Sequence, residues 1–226
     1  MYARVFFRFM VTIFEDFLAA ADAAVGLIGS DEAAARWDEP SALAGFTIGG
    51  LAAHLGLQLH SALSALTAPR PEPGAVVTPL LGHYAQASWM GVALDAPVNV
   101  DIRAVGEERA KVGPAERTKE TAAELAQVAA ALAAEGFEPA TVISMPWVAG
   151  RAMTVADVLT TRLMELLVHG DDLAVSLGIA TPDYPASAFE TVNDLLVRIS
   201  ATRHGALALL RALSRAERAP SSIAAF

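Results

Sequence analysis

Four ionisable side chains share one face of a predicted helix in the second half of the chain. Arg162, Glu165, His169 and Asp172 follow one another at spacings of three, four and three residues. At about 100° of rotation per residue, they fall within an arc of roughly 80°, whereas Asp171 lies about 180° from Arg162. A glutamate and a histidine at positions i and i+4 can bind one divalent ion from a single helix face.

A third ligand is expected from another helix, and His54 is the strongest candidate. Its helix carries few other ionisable groups, and Thr47, Gln58 and Ser61 share its face at helical spacing. His60 lies about 240° from His54 around the helix, which excludes it from that face. Two histidines and one glutamate suit Zn²⁺, with Fe²⁺, Ni²⁺ and Mn²⁺ also compatible, and three protein ligands leave an open position for catalysis.

Two interpretations of these residues stay open. In the first, Asp172 and Arg162 support the ligands, since a metal-bound histidine usually donates its other ring N–H to a carboxylate, carbonyl or water. In the second, the four helix residues form a solvated face or a metal-free ion-pair network, and His54 is a core histidine bonded to a carbonyl. A buried carboxylate needs a cation, but Arg162 alone would not explain two converging histidines.

Helical periodicity recurs along almost the whole chain, and the helices that it predicts would position these residues. Alanine, the best helix former, is abundant, and apolar residues repeat every three or four positions. The pattern predicts an all-α bundle of four long helices near residues 11–29, 47–67, 116–135 and 154–178. Further helices are expected near 79–93 and 99–112, with one or two more in 185–217. Only residues 140–150 have β-like composition, so they are expected to form at most a short strand or an extended connector.

Local signals predict the ends of the third long helix. Pro114 stands before its expected start, Thr118 or Thr121 is the expected N-cap, and Gly136 the expected end. Residues 30–40 are expected to form a polar turn.

Composition excludes several classes of protein. With 226 residues, 54% of them hydrophobic and 18% charged, the chain can fold around a full core. Its net charge of −9 argues against binding nucleic acid or an anionic membrane surface. Cysteine is absent, which excludes disulfides, a thiolate nucleophile and cysteine metal ligands. The sequence also lacks the glycine-rich nucleotide motifs and the serine-hydrolase elbow.

The long uncharged stretch at residues 40–69 does not predict a membrane span, because two histidines and a glutamine lie near its middle. The N-terminal apolar run is interrupted by two acids and lacks a cleavage site, so it does not resemble a signal peptide. We therefore expect a cytoplasmic protein with a single helical domain over residues 1–226, in which residues 1–10 form an extension.

Three segments resemble motifs of a known family. They are FTIGGLAAHL at residues 46–55, LTTRLMELLVHGDDLAVSLG at 159–178 and RHGALALLRALSRAERAP at 203–220. Together they are similar to the mycothiol-dependent maleylpyruvate isomerase family, within the DinB/YfiT-like metal-binding bundles. The resemblance covers roughly residues 11–226, and its second motif is fairly specific.

The resemblance implies a DinB-like four-helix bundle with additional C-terminal helices and a divalent metal, usually zinc, at one end. The family's ligands fall on His54, Glu165 and His169. It also implies mycothiol as a thiol cofactor, used for isomerisation or S-transfer on a small organic substrate, and it allows a homodimer. The founding isomerases carry a further C-terminal α/β domain, which we do not expect in so short and helical a chain. The resemblance therefore does not assign the substrate.

The sequence is compatible with three functions. The favoured one is a metal-dependent enzyme that activates a low-molecular-weight thiol for isomerisation or S-transfer. The alternatives are a non-catalytic binding protein that kept the metal-binding bundle and a metallohydrolase that uses zinc-bound water. No general base is identifiable that would separate the two enzymes.

Overall fold

Helices dominate the computed structural model of the chain, which describes residues 2–134, 137–148 and 150–226, with side chains from residue 13 onward. The helices are α1 (Tyr2–Ile28), α2 (Asp31–Ala35), α3 (Ile48–Thr67), α4 (Leu80–Ala85), α5 (Pro97–Ala110), α6 (Pro114–Ala133), α7 (Val155–Leu177), α8 (Ala186–His204) and α9 (Ala206–Ser214). The strands are β1 (Val76–Val77), β2 (Val142–Ser144) and β3 (Arg151–Thr154), and a 3₁₀ turn follows α9 at Ala216–Arg218.

Four long helices, α1, α3, α6 and α7, form the bundle. Helix α3 packs against α6 and α7, and α1 packs against the same two helices and against α3. Fully buried apolar side chains fill the space between them, including Phe17, Leu55, Leu59, Leu163 and Leu166. Helices α8 and α9 follow the bundle towards the C-terminus. The predicted fold class, an all-α four-helix bundle with additional C-terminal helices, is confirmed.

The two helices that carry the candidate ligands start at threonine caps. The Thr47 hydroxyl accepts a 2.9 Å hydrogen bond from the Gly50 amide, and the Thr154 hydroxyl accepts one of 3.0 Å from the Asp157 amide. Gly178, in the left-handed conformation, ends α7. These caps satisfy free amides of the first turn and fix where α3 and α7 begin, which sets the direction of every side chain along them.

The predicted N-cap of the third long helix was wrong. Gly113 is the N-cap and Pro114 the first residue of α6. Thr118 and Thr121 lie inside the helix, where their hydroxyls donate to carbonyls one turn earlier. A threonine one turn inside a helix can satisfy its hydroxyl in this way without capping. Gly136, the predicted end, lies outside the described residues.

Three other element boundaries differ from the prediction. Helix α1 begins at Tyr2 rather than near residue 11, and the expected polar turn at 30–40 contains the short helix α2. The helix expected over 79–93 is only α4, which ends at Ala85. Gly91, with φ of +69°, adopts a left-handed conformation that a helix cannot contain.

Three short strands form a small sheet in the order β1-β3-β2. Strands β2 and β3 are antiparallel, which accounts for the extended region predicted near 140–150, and β1 adds a parallel edge through the pairing of Val76 with Arg151. The last residue of β3, Thr154, caps α7, so the sheet joins the segment before α4 to the start of α7. Among the helices described, none is long and apolar enough to cross a membrane.

Candidate metal centre

The structure brings the three predicted ligands together between α3 and α7. One ligand atom from each of His54, Glu165 and His169 lies within 4.8 Å of the other two. Glu165 and His169 are one turn apart on α7, and their side chains are only 15% and 16% exposed. His54 lies on helix α3. The centroid of its ring is 4.8 Å from that of the His169 ring, and the two rings meet edge-on.

His54 has a buried ring nitrogen, Nδ1, without a hydrogen-bond partner in the described structure. Burial, followed by the nearby charge of His169, lowers the pKa of His54 to about 4. The imidazole is therefore neutral at physiological pH, which is the form that binds metals.

His169 lies between two carboxylates. Its Nδ1 is 2.9 Å from Asp172 Oδ2, and its Nε2 is 3.1 Å from Glu165 Oε2. Burial opposes protonation, but the hydrogen bonds to Asp172 and Glu165 outweigh it and raise the pKa of His169 to about 9. Burial also disfavours the charged form of Glu165 and by itself would raise its pKa. The hydrogen bond from His169 and the surrounding positive charges outweigh burial and hold the pKa of Glu165 at about 2. The carboxylate is thus ionised.

Arg162 lies beside the cluster and does not contact Glu165 directly. Its guanidinium donates a 2.6 Å hydrogen bond to Gln58 Oε1 and one of 3.1 Å to Thr161 Oγ1. The guanidinium carbon is 5.9 Å from the centroid of the Trp147 ring. Its positive charge is one of the influences that lower the pKa of Glu165. No carboxylate of the described residues forms an ion pair with it within 4.0 Å.

Helix α4 carries two further ionisable residues, His83 and Tyr84, that no sequence motif connects to the cluster. Burial, and next the charge of Arg162, lower the pKa of His83 to about 4. Burial, and next the charge of Glu165, raise the pKa of Tyr84. Both side chains are therefore within electrostatic reach of the cluster. Helical periodicity could not reveal this, because the position of α4 depends on contacts with α7 and α8.

His60 and His204 bond elsewhere, and for His60 this agrees with its predicted position on another face of the helix. His60 faces away from His54, and its Nδ1 lies 2.8 Å from Glu124 on α6. The Nε2 atom of His204, at the end of α8, is 2.8 Å from the Ala224 carbonyl.

The donor set fits a divalent cation. It combines a carboxylate held ionised, a neutral imidazole with a buried free nitrogen, and a second imidazole oriented by Asp172. Two histidines and one carboxylate form a ligand set typical of catalytic zinc sites, which keep a further position open. Among the described residues, no other group of three metal-ligating side chains converges in this way.

The chain matches a known protein family over most of its length. The sequence model described as the mycothiol maleylpyruvate isomerase N-terminal domain matches residues 17–174. The match includes all three residues of the cluster together with Asp172 and Arg162. No curated protein and no solved structure matches the chain.

Proposed function

Because the chain belongs to the mycothiol maleylpyruvate isomerase family, we propose that it is an enzyme that uses a divalent metal to activate a low-molecular-weight thiol. The thiol would be mycothiol, and the reaction an isomerisation or S-transfer on a small organic substrate. Zinc is the cation that we favour, because two histidines and a glutamate suit it best. We also propose that the protein is cytoplasmic, since its N-terminal sequence does not resemble a signal peptide.

The convergence of His54, Glu165 and His169 is the observation that carries this proposal. Their ligand atoms lie within 4.8 Å of one another, although the residues come from two helices that are otherwise largely apolar. Ionisable groups are costly in such a place unless they are paired or bind a metal. His169 can pair with the carboxylate, but that pairing leaves Nδ1 of His54 without a partner in the described structure.

Each residue of the site has a separate part in this proposal. His54, Glu165 and His169 would hold the cation, which when bound lowers the pKa of a thiol and so favours the nucleophilic thiolate. Asp172 accepts a hydrogen bond from the Nδ1–H of His169 and leaves Nε2 to face the cluster. Arg162, anchored by Gln58, adds a fixed positive charge at the edge of the site.

Metal binding is tested by titrating the purified, chelator-treated protein with Zn²⁺ in competition with a chromophoric chelator. We expect one site in the wild-type protein and its loss in His54→Ala and in His169→Ala. His60→Ala is the matched control, because it removes an imidazole from the same helix α3 on a face bonded to Glu124 instead. Equal affinity in all four proteins would overturn the proposed site.

Thiol use is tested on the zinc-loaded protein by thermal denaturation with and without mycothiol. A ligand at about 100 times its Kd adds about 2.7 kcal/mol to the free energy of unfolding. We expect this gain only in the zinc-loaded protein, and not with an analogue in which a hydroxyl replaces the thiol. Thiol-dependent turnover of a candidate substrate would then distinguish an enzyme from a non-catalytic binding protein. Stabilisation by both compounds alike would contradict activation of the thiol.

A further inference from the structure

A cavity of about 290 Å³ lies between α4, the segment that follows it and α8. None of the residues that line it belongs to the candidate metal cluster, so it is a separate feature of the fold. Ligand pockets in proteins begin at about 300 Å³ and combine apolar walls with a few polar groups. The volume therefore fits a small organic molecule.

The walls of this cavity are mainly apolar. Leu81 and Met90 line it and pack at the same time against the hydrophobic core, and Ile199 on α8 is 2% exposed. Ala85 and Ala87 contribute only methyl groups to the wall, which leaves the space between α4 and α8 unfilled. Apolar surface of this kind favours a ligand with an apolar body, because binding removes both surfaces from water.

Arg203, near the end of α8, gives the cavity a positive charge. Its Nη1 atom donates a hydrogen bond of 2.7 Å to the Ala225 carbonyl and a longer one of 3.4 Å to the Ala224 carbonyl. In the described part of the chain, no carboxylate lies within 4.0 Å of this guanidinium. Since arginine has five N–H donors, several remain for an anionic ligand.

Residues 221–226 hold this guanidinium in position at the cavity. Two further side chains of α8 bind carbonyls of the same segment, Ser200 at 2.7 Å and His204 at 2.8 Å. The Phe226 ring meets the Trp89 ring at 5.2 Å between centroids, which attaches the segment to the other side of the cavity. A side chain that is already ordered loses less conformational entropy when it binds a ligand.

We propose that this cavity binds a small organic acid, with its apolar body between Leu81, Met90 and Ile199 and its carboxylate paired with Arg203. The planar guanidinium offers parallel N–H donors that match the two oxygens of a carboxylate. The single positive charge selects an acid over a neutral molecule of the same size. Because the site contains none of the metal-cluster residues, the proposal is independent of the proposed function.

The test is isothermal titration calorimetry with octanoate, a carboxylate on an apolar chain. We expect saturable binding to the wild type and an affinity about 10-fold weaker in Arg203→Gln, which removes the charge but keeps a donor for the Ala225 carbonyl. Ala87→Phe, which fills the cavity and leaves the charge unchanged, should weaken binding by at least about 10-fold as well. Circular dichroism checks that both variants fold.

Two controls separate the charge of Arg203 from other effects. Arg198→Gln removes the same charge from the same helix, but Arg198 pairs with Asp194, so octanoate affinity should stay unchanged. Octanol has the same chain without the carboxylate and should bind the wild type about 10-fold more weakly than octanoate.

Several results would overturn the inference. Absence of saturable octanoate binding to the wild type would exclude the site, and equal affinity in Arg203→Gln or in Ala87→Phe would exclude this cavity as its location. Equal affinity for octanol and octanoate would exclude recognition of the acid. Loss of octanoate binding in His54→Ala would place the carboxylate at the metal cluster instead. None of these outcomes alters the zinc titration, which tests the proposed function separately.

Discussion

At the scale of single residues, we expect Asp172 to orient the ring of His169 without binding the metal itself. Its carboxylate lies 2.9 Å from Nδ1 of His169, which determines the nitrogen that faces Glu165. We expect Asp172→Ala to weaken zinc affinity about 10- to 100-fold while the fold is retained, as measured by chelator competition and circular dichroism. Asp171→Ala is the control, because Asp171 is exposed and bonds to Thr181. Equal affinities in the wild type and both variants would contradict this role.

A second prediction concerns the pH dependence of stability and a residue far along the chain from the candidate metal ligands. Asp16 on α1 is 3% exposed, and one of its oxygens accepts a 2.7 Å hydrogen bond from Ser187 on α8. Burial raises the pKa of Asp16 above its usual 3.8, and the hydrogen bond from Ser187 only partly opposes this. A carboxyl with a higher pKa in the folded state than in the unfolded state lowers stability as pH rises through that interval.

We therefore expect Asp16→Asn to raise the free energy of unfolding near pH 7 and to change it little near pH 3. Urea denaturation at the two pH values measures this difference. Asp22→Asn, on the exposed face of the same helix, is the control for the loss of one negative charge. If Asp16→Asn raised the free energy of unfolding as much near pH 3 as near pH 7, ionisation of Asp16 would not be the cause of the increase.

At the scale of elements, the approach of α5 to α3 depends on Gly106. A Cβ atom there would lie 2.8 Å from the Gly50 carbonyl oxygen, 2.8 Å from the Phe46 ring and 3.5 Å from Cβ of His54. The backbone carbonyl cannot yield easily, so α5 would have to move away from the helix that carries His54. Overpacking of this kind costs about 1–3 kcal/mol.

We expect Gly106→Ala to lower the free energy of unfolding by about that amount and to weaken zinc binding as well, as shown by urea denaturation and chelator competition. Gly26→Ala is the control, because Gly26 lies within α1 and a Cβ there would meet nothing within 4 Å. That exchange should stabilise the protein by roughly 0.5–1 kcal/mol. Destabilisation by both variants alike would show that the α3–α5 contact is not the cause.

The long elements could be predicted from the sequence because local signals and periodicity agree in them. Thr47 and Thr154 cap α3 and α7, and His54, Glu165 and His169 are conspicuous as ionisable residues in apolar helices. The short elements were predicted only in part, because their bounds depend on contacts between distant parts of the chain. A helix was expected near 79–93 and an extended segment near 140–150, but the end of α4 and the existence of β1 were not predicted. Strand β1 has two residues and exists through its pairing with β3, and α4 has six. Tyr84 and His83 lie on that short helix, so the influence of the charges of Glu165 and Arg162 on their pKa values was missed.

At the scale of the whole molecule, a bound metal would link α3 to α7 and so stabilise the bundle. A ligand at about 1,000 times its Kd adds about 4.1 kcal/mol to the free energy of unfolding when it binds only the folded state. We expect zinc to raise Tm in the wild type and chelation to reverse the rise, as followed by circular dichroism. His54→Ala should lose the effect, and His60→Ala should keep it. A Tm independent of zinc would contradict a metal shared by the two helices.

Strand β3 passes into α7 without a linker, since Thr154 ends the strand and Val155 begins the helix. One inserted or deleted residue between Val155 and Glu165 would rotate both α7 ligands by about 100° relative to the sheet. The exposed turn at residues 72–74 has no such restriction, because the surroundings of Gly74 are open. Changes in chain length that preserve the site should therefore accumulate in that turn and be excluded from the first half of α7.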